Sequence, residues 1–239
     1  MAKEKAGWVA LVGMRLTLIR HAQPDWIQGG KMVGNPALTE LGRRQTVQLA
    51  ARPWFEVDEL WVSELRRARE TAAPLAAALG LEPRVFKWMN EIGDPAEWDG
   101  MSQEQVDARI AEFYDQPTID KLWKGVRRGE AYRSFQKRVT DGLTATLGRY
   151  GTETMRASQH RLWRVRSRKS IVLVAHGGTN GVIYENLLGC GATPIAWHKF
   201  RSLHTAVSVL ESYPLADSWM FSLRSFGDVT HLSPEQVTG

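Results

Sequence analysis

Two histidines and a cluster of arginines stand where apolar runs of this chain end. Leu16-Thr17-Leu18-Ile19 reads as a buried strand, and Arg20 and His21 follow it with no spacer. A buried guanidinium beside an imidazole is costly unless something anionic lies between them. The pattern recurs at Ser170–Ala175, a short apolar strand that runs into His176-Gly177-Gly178. A third strand, Leu60-Trp61-Val62-Ser63, leads to Arg66, Arg67 and Arg69 at the start of a helix. Parallel strands present their C-terminal ends at one edge of a sheet, and ligands of open α/β sheets sit there. Two imidazoles and two guanidiniums converging from three such ends suit a phosphoryl group. Arginine forks hold its oxygens, and a neutral imidazole can attack phosphorus.

Arg20-His21-Ala22, then Ser63-Glu64-Leu65-Arg66-Arg67-Ala68-Arg69-Glu70-Thr71-Ala72, then Ala175-His176-Gly177-Gly178 occur in this order, each at a predicted strand end. Together they resemble the signatures of the histidine phosphatase superfamily, which includes the cofactor-dependent phosphoglycerate mutases. The resemblance runs from about Met14 to about Leu232. It implies a three-layer α/β/α sandwich around a mostly parallel sheet with one antiparallel edge strand. It implies a nucleophilic His21 that forms a phosphohistidine. Arg20, Arg67 and His176 would hold the phosphoryl oxygens, with the Gly177 amide at the start of the following helix. Glu91 matches the position of the acid, although the spacing to Trp98 and Gly100 is about one residue long, so Glu97 competes with it. The chain departs from the pattern at Ala22, at Gln23 and at Ile27, where an Asn often contacts phosphate. Gln23 or Asn35 would then supply an amide instead.

For attack, one nitrogen of His21 must be unprotonated, so the other must donate, most simply to a backbone carbonyl. Glu91 would protonate the leaving alkoxide and then activate water. The segments associated with mutases around Glu91 and in the lid are not recognisable, which favours hydrolysis over phosphoglycerate-mutase-like transfer.

The elements that must position these groups follow from periodicity and turn residues. Strands are expected over 14–19, 59–62, 84–88, 170–175, 206–212 and 218–223. The last two would form an antiparallel hairpin with its turn at Tyr213-Pro214. Helices are expected over 40–51 with Thr39 as N-cap, 65–79 ended by Gly80, 102–114, 129–150 and 179–188, with 116–129 irregular. The segment from Glu91 to about Arg128 should lie over the C-terminal edge as a partial lid, and residues 233–239 form a tail. Trp26, Trp88, Trp98 and Trp123 fall near the expected mouth.

Composition is that of one globular domain, spanning 14–232, with 43% hydrophobic and 24% charged residues among 239. Residues 1–13 read as an N-terminal extension. The lone Cys190 allows no intrachain disulfide and reads as a small buried residue. No run approaches membrane-spanning length, and a cytoplasmic location is expected. A net charge of +5 suits anionic substrates and would also suit nucleic acid. The basic segment Arg156–Lys169, a candidate polyanion-binding surface, lacks interleaved aromatics and reads as a helix with a solvated basic face. No metal-ligand spacing or nucleotide loop is present, so neither metal nor cofactor is expected. The expected partner is a small phosphate ester, with neither membrane nor nucleic acid. Self-association as a homodimer is left open.

Overall fold

The computed structural model describes residues 12–155 and 161–239; the expected extension at 1–13 therefore lies almost wholly outside it. The frame is an eight-stranded sheet. Its parallel block is built from β1 (Arg15–Arg20), β4 (Glu59–Ser63), β5 (Arg84–Phe86) and β8 (Ser170–Ala175), in the order β5-β4-β8-β1. Side chains alternate between its two faces, as strand geometry requires. Leu16, Leu18, Trp61, Ile171 and Leu173 enter one core. Ile19, Leu60, Val62, Val172 and Val174 enter the other.

Each face is covered by a helix pair. On one side, α1 (Glu40–Ala51) and α2 (Arg66–Leu79) contribute Leu49, Ala68, Ala72 and Leu75. On the other, α5 (Tyr132–Gly148) contributes Phe135, Val139 and Leu143 at helical spacing, and α6 (Gly177–Leu188) contributes Val182, Ile183 and Leu187. Thr39 caps α1 by accepting from the Gly42 amide at 2.9 Å, and Gly80 ends α2 with a left-handed φ of 65°.

The antiparallel margin is a pair of long strands, β9 (Val207–Leu215) and β10 (Ser218–Asp228), rather than one edge strand. Its turn falls at Ala216-Asp217, not at Tyr213-Pro214. Pro214 is tolerated inside β9 because the pairing with β1 ends at Glu211, so its missing N–H breaks no ladder bond there. Two-residue strands β6 (Glu153–Thr154) and β7 (Trp163–Arg164) extend the sheet beyond β10. They correct the helix expected in the basic segment. Trp163 and Val165 are buried while Arg164 and Arg166 are exposed, a period of two that only a strand satisfies. Residues 156–160 of that segment lie outside the described residues.

Three smaller differences remain. A hairpin of β2 (Ile27–Gln28) and β3 (Lys31–Met32) turns through Gly29 and Gly30, both at positive φ. α3 (Gln103–Tyr114) forms where a helix is expected, but the span 116–129, expected to be irregular, carries a short α4 (Ile119–Lys124) capped by Thr118. Cys190 is exposed, because it follows the left-handed Gly189 that ends α6 and lies beyond the packed helix.

Candidate active site

Three neighbouring strand ends meet at the C-terminal edge. The order β4-β8-β1 sets Ser63, Ala175 and Arg20 side by side, and the His21 amide continues the ladder onto the Ala175 carbonyl at 2.9 Å. The rings of His21 and His176 are consequently 5.1 Å apart, centre to centre. Both are buried.

The loop that carries His21 is fixed from two helices. Thr71 on α2 accepts from the Ala22 amide at 2.9 Å, and Gln45 on α1 accepts from the Gln23 amide at 2.9 Å. His21 Nδ1 lies 2.7 Å from the Ala22 carbonyl. A carbonyl only accepts, so Nδ1 carries the proton and Nε2 keeps its lone pair. Burial holds the His21 pKa well below the usual imidazole value, and His176, Arg67 and Arg20 depress it further. The ring is therefore neutral across the physiological range.

Arg67 is buried on α2, with its guanidinium 4.7 Å from the centre of the Trp26 ring. Its neighbours Arg66 and Arg69 do not reach the cleft; Arg66 pairs with Glu70 at 2.6 Å. Arg20 donates to the Ser202 carbonyl at 2.6 Å. Arg20 Nε, Arg67 Nε and Nη1, and His176 Nδ1 are all buried without a partner. An unpaired buried polar group costs about 1–3 kcal/mol, so four in one cluster mark a place built for an anion.

Glu91 faces this cluster. Its Oε2 accepts from the Gly178 amide at 2.8 Å, and its Oε1 from the Thr179 and Ile92 amides at 3.2 and 3.1 Å. The first turn of α6 thus holds the carboxylate, while Gly177 lines the cleft. A Cβ at Gly178 would come within 2.4 Å of Glu91 Oε1, so any larger residue here displaces the carboxylate. Oε2 keeps a lone pair free for a proton. Glu97 is elsewhere, paired with Arg128 at 3.5 Å.

The cleft has a volume of about 520 Å3. Arg20, His21, Arg67 and Glu91 form its floor; Trp26, Trp197, Phe200, Leu203 and residues 237–239 form its walls. A hollow of about 370 Å3 adjoins it and shares Arg67, Glu91, Ile92 and Asp94. Neither expected amide lines the cleft. Asn35 Oδ1 caps α2 by accepting from the Arg66 amide at 2.9 Å, and Gln23 Oε1 accepts from the Thr39 hydroxyl at 2.7 Å. Of the four tryptophans expected at the mouth, Trp26 lines the cleft and Trp98 the adjoining hollow, while Trp88 and Trp123 pack against the core.

Three features had no signature in the sequence. His204 lies with its ring 5.6 Å from that of His21, and burial with Arg20 nearby pushes its pKa down to about 3. Its Nδ1 meets the Thr238 hydroxyl at 2.9 Å. Asp94 borders both hollows at their exposed rim, beside Glu91 and Arg67. The tail folds back beside the site, where Gln45 Nε2 donates to the Gln236 carbonyl at 2.7 Å and to the Thr238 hydroxyl at 2.9 Å.

A neutral histidine at the end of a parallel strand, ringed by guanidiniums and faced by a carboxylate, is an arrangement suited to a phosphoryl group on an α/β sandwich. The chain belongs to the histidine phosphatase superfamily, branch 1, whose family model matches residues 16–217. It is 39% identical over 184 residues to glucosyl-3-phosphoglycerate phosphatase of Mycobacterium tuberculosis, covering 73% of this chain and 75% of that protein. It is 29% identical over 150 residues to phosphoserine phosphatase 1 of Hydrogenobacter thermophilus, covering 62% and 71%. The solved structure of a mycobacterial glucosyl-3-phosphoglycerate phosphatase superposes with a TM-score of 0.60 at 26% identity, covering 89% of this chain and 98% of that one. These relatives are phosphatases.

Proposed function

We propose that this chain hydrolyses phosphate monoesters through a phosphohistidine on His21, with Glu91 as general acid and then general base. The observation that supports it best is the ring of unpaired buried nitrogens of Arg20, Arg67 and His176 around a neutral His21. In the first step the Nε2 lone pair attacks phosphorus and the P–O ester bond breaks. The leaving oxygen takes a proton from Glu91 and departs as the alcohol. Arg20 and Arg67 meet the charge that builds on the phosphoryl oxygens. In the second step Glu91 takes a proton from water, the hydroxide attacks phosphorus, the P–N bond breaks, and orthophosphate leaves with His21 restored.

The substrate class we propose is a small phosphorylated metabolite, of the kind named for the relatives. A cleft of about 520 Å3 lies in the range of small-ligand sites. Asp94, Arg201 and Val237 are exposed at its rim, which leaves water a path to the phosphohistidine and favours hydrolysis over transfer. We place the protein in the cytosol, a reading supported by its single cysteine and testable by cell fractionation.

The test is release of orthophosphate from p-nitrophenyl phosphate in the presence of a chelator, followed by a panel of phosphorylated metabolites. His21→Ala should reduce kcat by roughly 10⁴-fold or more. Label from a radioactive phosphate ester should be trapped on the wild-type protein and absent from the variant. Turnover by His21→Ala within tenfold of wild type would overturn the assignment. Interconversion of phosphoglycerates with negligible phosphate release would assign a mutase instead.

A further inference from the structure

His176 does not choose freely which of its nitrogens carries the proton. Its Nε2 lies 2.8 Å from Ser63 Oγ, inside the sheet edge, where both residues are fully buried. Ser63 Oγ is also 2.9 Å from Asn90 Oδ1. The orientation of that amide is fixed by groups with one possible role each. The Glu64 backbone N–H donates to Oδ1 at 3.1 Å, and Asn90 Nδ2 donates to the Glu64 carboxylate at 3.0 Å. Oδ1 can only accept, so the single Ser63 proton goes to it. The Leu65 amide donates to the same hydroxyl oxygen at 3.3 Å. With its proton committed, Ser63 Oγ can only accept from the ring, and Nε2 must carry the hydrogen. The remaining nitrogen, Nδ1, is buried and unpaired. In the neutral ring it holds a lone pair.

A lone pair cannot face a phosphoryl oxygen that lacks a proton. We propose that Ser63 is a positioning residue: through Asn90 it locks neutral His176 in its Nε2–H form, so that a fully ionised oxyanion binds with uptake of a proton at His176 Nδ1. This rests on the phosphoryl-site reading above. The groups around the ring are Arg20 and His21 at the end of β1, Arg67 on α2 and Arg138 on α5. Glu91 lies at the start of α6, and Glu64 at the far end of the amide chain. Burial and the three guanidiniums keep the ring neutral before the ligand arrives. The anion reverses that balance by placing opposite charge beside Nδ1. In the loaded site the imidazolium donates from both nitrogens, one to Ser63 and one to the anion.

Tungstate is a suitable probe, because it remains a dianion near neutral pH. Its binding to the whole protein is measured calorimetrically in buffers of different ionisation enthalpy, which counts the protons taken up. Wild type should take up about one proton per tungstate, and its affinity should fall about tenfold per pH unit above neutrality. Ser63→Ala lets the ring change tautomer and donate from Nδ1 without a new proton, so uptake should fall towards zero and the pH slope should flatten. Asn90→Ala releases the Ser63 proton to turn towards Nε2, and should lower uptake in the same way while the hydroxyl is kept. Ser63→Thr should retain the wild-type count. Equal uptake in wild type and in both alanine variants, or none in wild type, overturns the proposal. Tungstate that fails to bind, or binds unaffected by Arg67→Ala, would overturn the phosphoryl-site reading and this proposal with it.

Discussion

The floor and the rim of the cleft are built on opposite plans. Arg20, His21, Ser63 and His176 sit on the ends of three adjacent strands with buried interiors, and Arg67 is the second residue of α2, four positions after Ser63. The rim comes from residues 92–98, 197–204 and 236–239, which belong to loops and short turns and leave Asp94, Arg201 and Val237 exposed. A sheet edge fixes atoms closely enough to meet a tetrahedral oxyanion, and its positions cannot drift without unmaking the core. Loops vary at small cost in stability. The difference teaches that the arrangement of His21, His176, Arg20 and Arg67 is tied to the fold, whereas the walls around it come from segments that the fold merely carries.

That contrast can be broken or sharpened by substitution. After His21, the largest effect is expected at Glu91. Glu91→Gln should lower kcat by about 10²–10⁴-fold on alkyl phosphates, whose alkoxide needs a proton, and by much less on p-nitrophenyl phosphate. Equal losses on both esters would mean that Glu91 is not the acid. Gly178→Ala should reproduce part of this selective loss, because the new Cβ displaces the Glu91 carboxylate.

Arg67→Ala should cost about 10²–10³-fold in kcat for every ester alike, since the phosphoryl group is common to all. A loss that varied with the leaving group would erase the distinction between floor and rim. At the rim, Thr238→Val removes the hydroxyl that joins Gln45 and His204 to the tail. It should raise KM for bulky esters by about 2–10-fold while inhibition by orthophosphate stays unchanged, a loss of about one hydrogen bond. Weaker inhibition by orthophosphate in that variant would show that the tail supports the floor instead.

The smallest effect is on stability. The unfolded chain protonates His204 near pH 6.5, whereas the folded chain holds it neutral down to about 3. Below pH 6.5 the unfolded state therefore binds the extra proton, and stability falls as pH falls, by at most about 1.4 kcal/mol per pH unit from this residue. His204→Asn should flatten the decline of Tm between pH 6.5 and 4 without changing its value near pH 8 by a similar amount. An unchanged slope would mean that His204 is protonated in the folded protein.

Most of the floor was legible in the sequence because strand ends and helix starts leave local marks. Apolar runs stopped at Arg20 and Ala175, and Thr39 and Gly80 punctuated helices by their own side-chain and backbone chemistry. Local marks also misled. The charge of the basic segment Arg156–Lys169 suggests a solvated helix, yet Trp163 and Val165 are drawn into the core and impose a strand. Gln23 and Asn35 carry the right amide for phosphate, but the loop and the start of α2 use them first. Gly29 and Gly30 do mark a turn, but strands of two residues on each side carry no alternation that would distinguish a hairpin from a loop.

By itself the sequence determined the element order, the two-faced apolar code of the strands, and the set of residues able to handle a phosphoryl group, because each depends on neighbours within a few positions. Tertiary structure decided that Glu91 rather than Glu97 lines the cleft, that His204 stands beside His21, and that Thr238 closes a wall of the cleft. Those outcomes depend on contacts between residues far apart in the chain, and such contacts exist only once the sheet has brought its strand ends together.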